Sequence, residues 1–530
     1  MRTLFLLFFA LLSSRPGAPQ NLDPRDLLSP LGSAWPTYNG DYSGRRFSQL
    51  SQITSANVRN LGLVWTFDSG NDPIKATPLV VQGVIYFSVP DRAWALDART
   101  GRLIWHWENK SRGGTHIGHR GTAMYGKWLF LVTPDNYLVS LDAATGKERW
   151  RTEIADLKLD YFSSVAPVII RNHVLVSPSI ESTDNRGYLD SYDPETGALQ
   201  WRWYSTPDAG EPGAETWPND EARSHGGGAI WIPGTYDPEL NLFYFGTANP
   251  QPVMAGQGRL GDNLWTDSIV ALNPDSGKMV WFYQTTPHDT HDWDSAETPV
   301  LFDAELDGRK RKLLAQTNRN GYFFVLDRIT GEHILTTPFV PNNWAKGLDV
   351  QGRPIRDPNK DPQPAGALVI PSEEGATNWF PPSLDLETGF FYVRVTRSVA
   401  VYYLTDTSSK PEAWGGIDKA VLRGPSSIAA IDCKTGKVVW DHPTGVGAVS
   451  GLLTTAGRLL FGGDGSGNAL ALDPLTGRTI WHVNLNQTMF NGPVTYELDQ
   501  RQYLLLAAGG KLFAFALPEP YANIREGRRP

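Results

Sequence analysis

Short apolar runs bounded by turn residues recur along the whole chain: PLVVQGVIYFSV, KWLFLVT, VIIRNHVLVS, LNLFYFGT, KLLAQT, RLLFGG and YLLLAAGGKLFAFAL. Their shortness, their β-branched and aromatic content and the Gly and Asn between them predict buried strands. Among them one phrase repeats: a small residue, an apolar residue, Asp or Asn, two or three residues, Gly, three residues, Trp. Full copies are ALDARTGRLIW ending at Trp105, SLDAATGKERW at Trp150, SYDPETGALQW at Trp201, ALNPDSGKMVW at Trp281, AIDCKTGKVVW at Trp440 and ALDPLTGRTIW at Trp481. VLDRITGEHIL (Asp327, Gly331) and SLDLETGFFYV (Asp385, Gly389) keep the acid and the glycine without the Trp. Each phrase reads as strand, tight turn, strand: the Asp side chain caps the turn and the Gly supplies the positive φ.

From Asp97 to Asp473 the copies lie about 54 residues apart, room for a four-stranded sheet and its loops. The expected fold is all-β, an eight-bladed β-propeller with tryptophan docking repeats, each Trp packing between sheets with its indole N–H on a neighbouring carbonyl. The earlier run LGLVWTF (Leu61 to Phe67) is expected to pair with the last blade and close the ring. Two stretches, Asp208 to His225 and Pro338 to Asn378, exceed ordinary loop length and are expected to build or roof a site on one face.

The N-terminus changes the picture of location. Leu4 to Leu12 is an uncharged apolar stretch spanning about 14 Å as helix, well short of the roughly 30 Å of a bilayer core. A cleaved signal peptide over 1–20 is expected, followed by one propeller domain over 21–530, periplasmic and without a membrane span in the mature chain. Cys433 is the one cysteine, so no intrachain disulfide and no C-x-x-C-H haem site exists. A formal charge of −8 with no basic block leaves nothing to neutralise phosphates, which excludes nucleic acid as a partner. With 52 Gly, 39 Pro and 19 Trp, the composition suits many short strands and argues against an all-α fold.

The densest ionisable cluster is His288-Asp-Thr-His-Asp-Trp-Asp294. Spacing alone leaves three readings open: a polar surface loop, a hard-cation site built from carboxylate oxygens, or a two-His-one-carboxylate metal site using His288 and His291.

Taken with the Trp phrases, PHDTHDWD and the strings HGGGAIW, FGTANPQP, GDNLW, NRNGYFFVLDRITGE and GATNWFPPS closely resemble the PQQ-dependent alcohol dehydrogenases, the quinoprotein propellers that include methanol dehydrogenase. The likeness runs from about Trp35 to Pro518. It implies that Asp292 is the general base and a metal neighbour, and that Arg319 stands beside the quinone oxygens as the second catalytic residue. It implies metal ligation by Asn249 and by Glu181, with Asp184 competing because the gap to Arg186 is one residue longer here. Asp294 resembles the extra aspartate of the lanthanide-using branch; three carboxylates around one ion favour a trivalent cation, with Ca²⁺ as the alternative. Trp231 resembles the indole floor under the flat cofactor, and Arg120, Asn378, Ser164 and Ser179 its polar contacts.

The chain also departs from that pattern. The adjacent cysteines that cover the cofactor in many relatives align with Gly114 and Thr115, so His116 and His119 are candidates to cover it instead. In the resemblance, Lys75 stands where some relatives have a glutamate near the cofactor, and a Trp on the cofactor's other face is replaced around Ala448. The implied reaction is oxidation of a small alcohol to its carbonyl compound, with Asp292 taking the hydroxyl proton as hydride passes to PQQ. A soluble c-type cytochrome is the implied electron acceptor. A sugar or polyol substrate and a non-catalytic propeller scaffold are the rival readings. The oligomeric state stays open, with a homodimer as one candidate.

Overall fold

The computed structural model describes residues 21–114, 118–180, 185–295, 297–306, 308–447 and 450–518. The expected signal peptide, Thr115, His116, Glu181, Asp184 and Ala448 lie outside the described residues. Among those described, α-helix is confined to the five residues Asp220–Ser224, with a few 3-10 turns. The rest is strand, turn and loop.

Eight sheets of four or five strands follow one another along the chain, accompanied by two smaller ones. The first takes Leu79–Val81, Val84–Val89, Arg92–Asp97 and Leu103–Glu108 in chain order, each antiparallel to the next. The Asp–Gly phrase forms the turn into the fourth strand. Asp97 Oδ1 accepts from the backbone N–H of Arg99 at 3.1 Å and of Thr100 at 2.9 Å. The eight phrase glycines all have φ between +67° and +77°, a region an L side chain resists.

Six of the eight turns also receive a Trp ring from the sheet before them, while Gly436 meets Thr337 instead and the space above Gly389 is open. A Cβ on Gly101 would stand 2.5 Å from the Trp65 ring, and one on Gly146 would stand 2.6 Å from Trp105. Indole N–H groups reach across to the next sheet, from Trp105 to Ala143 O at 2.8 Å, Trp201 to Pro274 O at 2.8 Å and Trp440 to Pro474 O at 3.0 Å. Trp150 lies on Gly197 in the same way, but its N–H has no partner.

The chain ends meet in one sheet: Gly62–Asp68 runs antiparallel to Lys511–Ala516, joining the strands Val494–Leu498 and Arg501–Ala508. The core lies between facing sheets. One apolar cluster joins Ile85 and Phe87 of the first sheet to Leu504 and Leu506 of the last and to Leu459 and Phe461 of the one preceding it. Within the first sheet Val84–Val89 is wholly buried, whereas Leu103–Glu108 alternates with solvent.

The long connections form substructures. The expected Pro338–Asn378 insertion carries the hairpin Ala345–Leu348 with Pro354–Arg356. A second excursion, between the paired strands Phe390–Val395 and Ser426–Asp432, contributes Ser398–Leu404 and Gly416–Arg423 to a three-stranded sheet with Ala367–Val369. Among the described residues no helix is long and apolar enough to cross a membrane.

Candidate functional site

The acidic segment leaves the strand Lys278–Gln284 and turns inward. Asp289 organises it: its two carboxylate oxygens accept from His291 N at 3.1 Å and Trp293 N at 2.9 Å. His291 lies flat on Trp293, ring centroids 4.3 Å apart, with Nε2 bonded to Lys360 O. His288 bonds Gly261 O through Nδ1, and burial holds its imidazole at about 3. Both histidines are thus framework, which removes the two-His metal reading. Burial removes the surface-loop reading: His288, Asp289, Thr290, His291, Trp293 and Asp294 are all buried. Among the described residues no three His, Cys, Asp or Glu side chains converge as a metal site; Glu181, expected as the further ligand, lies outside them.

Asp292, held at φ +65°, and Asp294 share one guanidinium. Arg319 donates from Nη2 to Asp292 at 2.9 Å and from Nη1 to Asp294 at 2.8 Å, and Nη2 also meets the Glu373 carbonyl. Asp294 further accepts from Trp231 Nε1 at 3.0 Å and from Asn249 N at 2.8 Å. Asn249 turns its amide nitrogen to Pro250 O. Burial raises both carboxyls above the usual range, with Arg319 opposing the rise. Burial works against the charge of Arg319, yet Asp292 and Asp294 hold it above its ordinary value.

Two further acids stand near this group. Asp267 and Glu297 are buried, and neither carboxylate has a hydrogen-bond partner on either oxygen. Burial pushes Asp267 well up and Glu297 to about 8. Nothing in the sequence pattern singled them out, since each lies in an unremarkable loop (WTDS, SAET).

Trp231 also belongs to a cationic, aromatic group. The Arg120 guanidinium sits 5.3 Å from the Trp231 ring centre and 3.9 Å from that of Trp379. Arg120 is buried, and its Nε and Nη1 have no partner. Its backbone is fixed between neighbours: Arg120 N donates to Ser164 O at 2.9 Å, and Arg120 O accepts from Thr77 N at 3.0 Å. Ser164 Oγ and Ser179 Oγ are 3.3 Å apart, both buried. Asn378 bonds within its own loop, Oδ1 accepting from Trp379 N and Nδ2 donating to Glu374 O, which leaves one amide N–H and one lone pair for a further contact. Its neighbour Trp379 makes the contact with Arg120, and the NWF string was the available signal. His119 is turned away as a cover, because its ring nitrogens meet Ser88 Oγ at 2.7 Å and Val132 O at 2.8 Å. At Gly114, φ is +101° and a Cβ would stand 2.2 Å from Pro134 O, so the backbone has no room for a cysteine there.

The family described as "PQQ: Glucose/ethanol/alcohol dehydrogenase, beta-propeller domain" matches residues 35–348 and 425–504. The chain belongs to this PQQ dehydrogenase family. The quinohemoprotein alcohol dehydrogenase of Comamonas testosteroni is 35% identical over 523 residues, covering 90% of this chain and 72% of that one; its crystal structure superposes with a TM-score of 0.88 over 96% of this chain and 84% of that one. The quinoprotein alcohol dehydrogenase PedH of Pseudomonas putida is 34% identical over 503 residues, 88% of this chain and 84% of the relative. A europium-containing methanol dehydrogenase structure has a TM-score of 0.85 at 30% identity, covering 92% of this chain and 98% of that one.

The residues of this PQQ dehydrogenase fit the group the family name implies. A planar guanidinium already stacks beside two indoles with unpaired donors, the surroundings a flat polycarboxylate needs. Beside Asp294, the acids Asp267, Asp292 and Glu297 outnumber the buried cations Arg259 and Arg319. Such an excess of hard anionic oxygen suits a multivalent cation.

Proposed function

We propose that this chain oxidises small alcohols to carbonyl compounds, with PQQ and one metal ion held on the two sides of Trp231. The observation that carries the reading is the position of Asp294, which bonds Trp231, Arg319 and the Asn249 backbone at once and so ties the aromatic group to the acidic one. The names of the relatives, quinohemoprotein and quinoprotein alcohol dehydrogenase, support the substrate class.

In this reading Asp292 is the base. It faces the guanidinium of Arg319, which orients the carboxylate and spreads positive charge where negative charge develops. Asp292, Asp294, Asn249 and Glu181 hold the ion; Trp231 forms the floor; Arg120, Ser164, Ser179 and Asn378 line the cofactor's polar edge, joined by Trp379, with His116 at the covering segment. When bound beside Asp292, Asp294 and Asn249, the cation would supply Lewis acidity and keep those carboxylates ionised, and PQQ would supply the two-electron acceptor for alcohol oxidation. Buried Asp294 brings a further negative charge to the ion, which favours a lanthanide(III) over Ca²⁺. The lanthanide-dependent methanol dehydrogenase of Methylacidiphilum fumariolicum, 32% identical, supports that choice.

The eight sheets form one eight-bladed ring over 21–530, closed by the strand Gly62–Asp68 and docked by the phrase tryptophans; the sheet order and the indole bonds support this. The enzyme works in the periplasm after export and passes electrons to a soluble c-type cytochrome. The relative named 1-butanol dehydrogenase (cytochrome c) supports that class of acceptor. We carry the homodimer forward as the oligomeric state to test by sedimentation. The function is tested by titrating PQQ with La³⁺ or Ca²⁺ into apo-protein while following quinone absorbance and dye-linked oxidation of an alcohol panel. Alcohol-dependent dye reduction is expected; its absence with both ions rejects the reading.

A further inference from the structure

Lys75 precedes the strand Leu79–Val81, and its backbone surroundings are pinned on three sides. Ile74 N donates to Gly509 O at 2.8 Å, Asn491 Nδ2 donates to Ala76 O at 2.6 Å, and Thr77 forms a parallel bridge with Gly121. That bridge sets Lys75 alongside Arg120. The half-buried Lys75 side chain passes Phe490, with Nζ 5.8 Å from the ring centre. Both cationic tips then converge on Gly118: a Cβ there would stand 2.5 Å from Lys75 Cδ, 3.3 Å from Lys75 Nζ and 3.2 Å from Arg120 Nη1. Gly118 has φ +137°, so both its backbone and the space above it exclude a side chain.

Two cations thus share one buried corner, and Arg120 keeps two donors there without a partner. Burial, then the charge of Arg120, hold the Lys75 ammonium below its ordinary value. Packing like charges together in this way is unfavourable unless an anion joins them.

We propose that Lys75 and Arg120 form a two-cation clamp on one carboxylate of the cofactor, and that Gly118 leaves the space in which the clamp closes. The inference rests on the PQQ reading above, since the carboxylate is the cofactor's own. A single ammonium–carboxylate contact in such a corner is a charge-assisted hydrogen bond; its loss weakens binding about 10- to 100-fold.

The test is equilibrium binding of PQQ to metal-loaded apo-protein, read by quenching of tryptophan fluorescence without alcohol. Lys75→Met is expected to raise Kd about 10- to 100-fold and to lose part of the salt dependence. Lys75→Arg, which keeps the charge, should bind more tightly than Lys75→Met, and Lys75→Glu more weakly than either. Wild-type protein should prefer PQQ over its trimethyl ester by a larger factor than Lys75→Met does. Equal Kd values for wild type, Lys75→Met and Lys75→Glu at low salt overturn the clamp while the PQQ reading stands. Failure of the wild-type protein to bind PQQ with either metal overturns both.

Discussion

Replacing Asp292 by Asn isolates the proton-accepting step. The residue sits at φ +65°, a region Asn occupies as readily as Asp, so the backbone carries no new strain. The amide oxygen can still accept from Arg319 Nη2, now 2.9 Å from the carboxylate, so the guanidinium keeps its place. What is lost is a basic oxygen for the substrate hydroxyl proton. Loss of a positioned general base lowers turnover by about 10²- to 10⁴-fold, or about 3–5 kcal/mol of barrier. The assay is dye-linked turnover at saturating alcohol, with PQQ and metal content measured on the same sample so that loss of cofactor is not read as loss of chemistry. A fully loaded Asp292→Asn protein turning over within about fivefold of wild type, far short of the loss expected for a missing base, would refute the assignment.

Asp294→Ala removes the acceptor shared by Trp231, Asn249 N and Arg319; the preference for La³⁺ over Ca²⁺ in competition titrations should fall by about tenfold or more, as expected for one fewer carboxylate. Trp105→Ala empties the contact with Gly146 and removes the bond to Ala143 O; it should cost about 3–5 kcal/mol, read as a lower unfolding midpoint. His119 is buried and its imidazole is held at about 4, below the ordinary 6.5, so the unfolded chain binds its proton first. Its contribution is therefore complete above pH 6.5 and is lost as pH falls towards 4, a change of about 3 kcal/mol. In urea unfolding from pH 7 to pH 4, His119→Gln should show a correspondingly shallower loss than wild type.

The repeated Asp–Gly–Trp phrase made the sheets legible, because a turn needing positive φ and a ring that covers it recur in fixed order. The strand Gly62–Asp68, which pairs with the last sheet, was legible as an apolar run ahead of the first phrase, and its Trp65 ring lies against Gly101. The excursion between Phe390–Val395 and Ser426–Asp432 was not, since SVAVYYL and GIDKAVLR have strand periodicity but nothing in them states which sheet they join. At the site, family strings pointed to Asp292, Asp294, Trp231 and Arg319, and the hydrogen bonds bring these four together. Local spacing could not show that Asp289 is consumed in shaping its loop, that His119 is wedged between sheets, or that Asp267 and Glu297 are buried beside the acids. Those facts depend on packing between segments far apart in the chain.

The central claim is a cation among Asp292, Asp294 and Asn249, with PQQ against Trp231. Crystals of protein reconstituted with PQQ and La³⁺ test it through the anomalous signal of the metal. The account predicts one strong peak within ligand distance of Asp292 and Asp294, with planar density on Trp231 reaching Arg120. A peak elsewhere, or planar density away from Trp231, would contradict it.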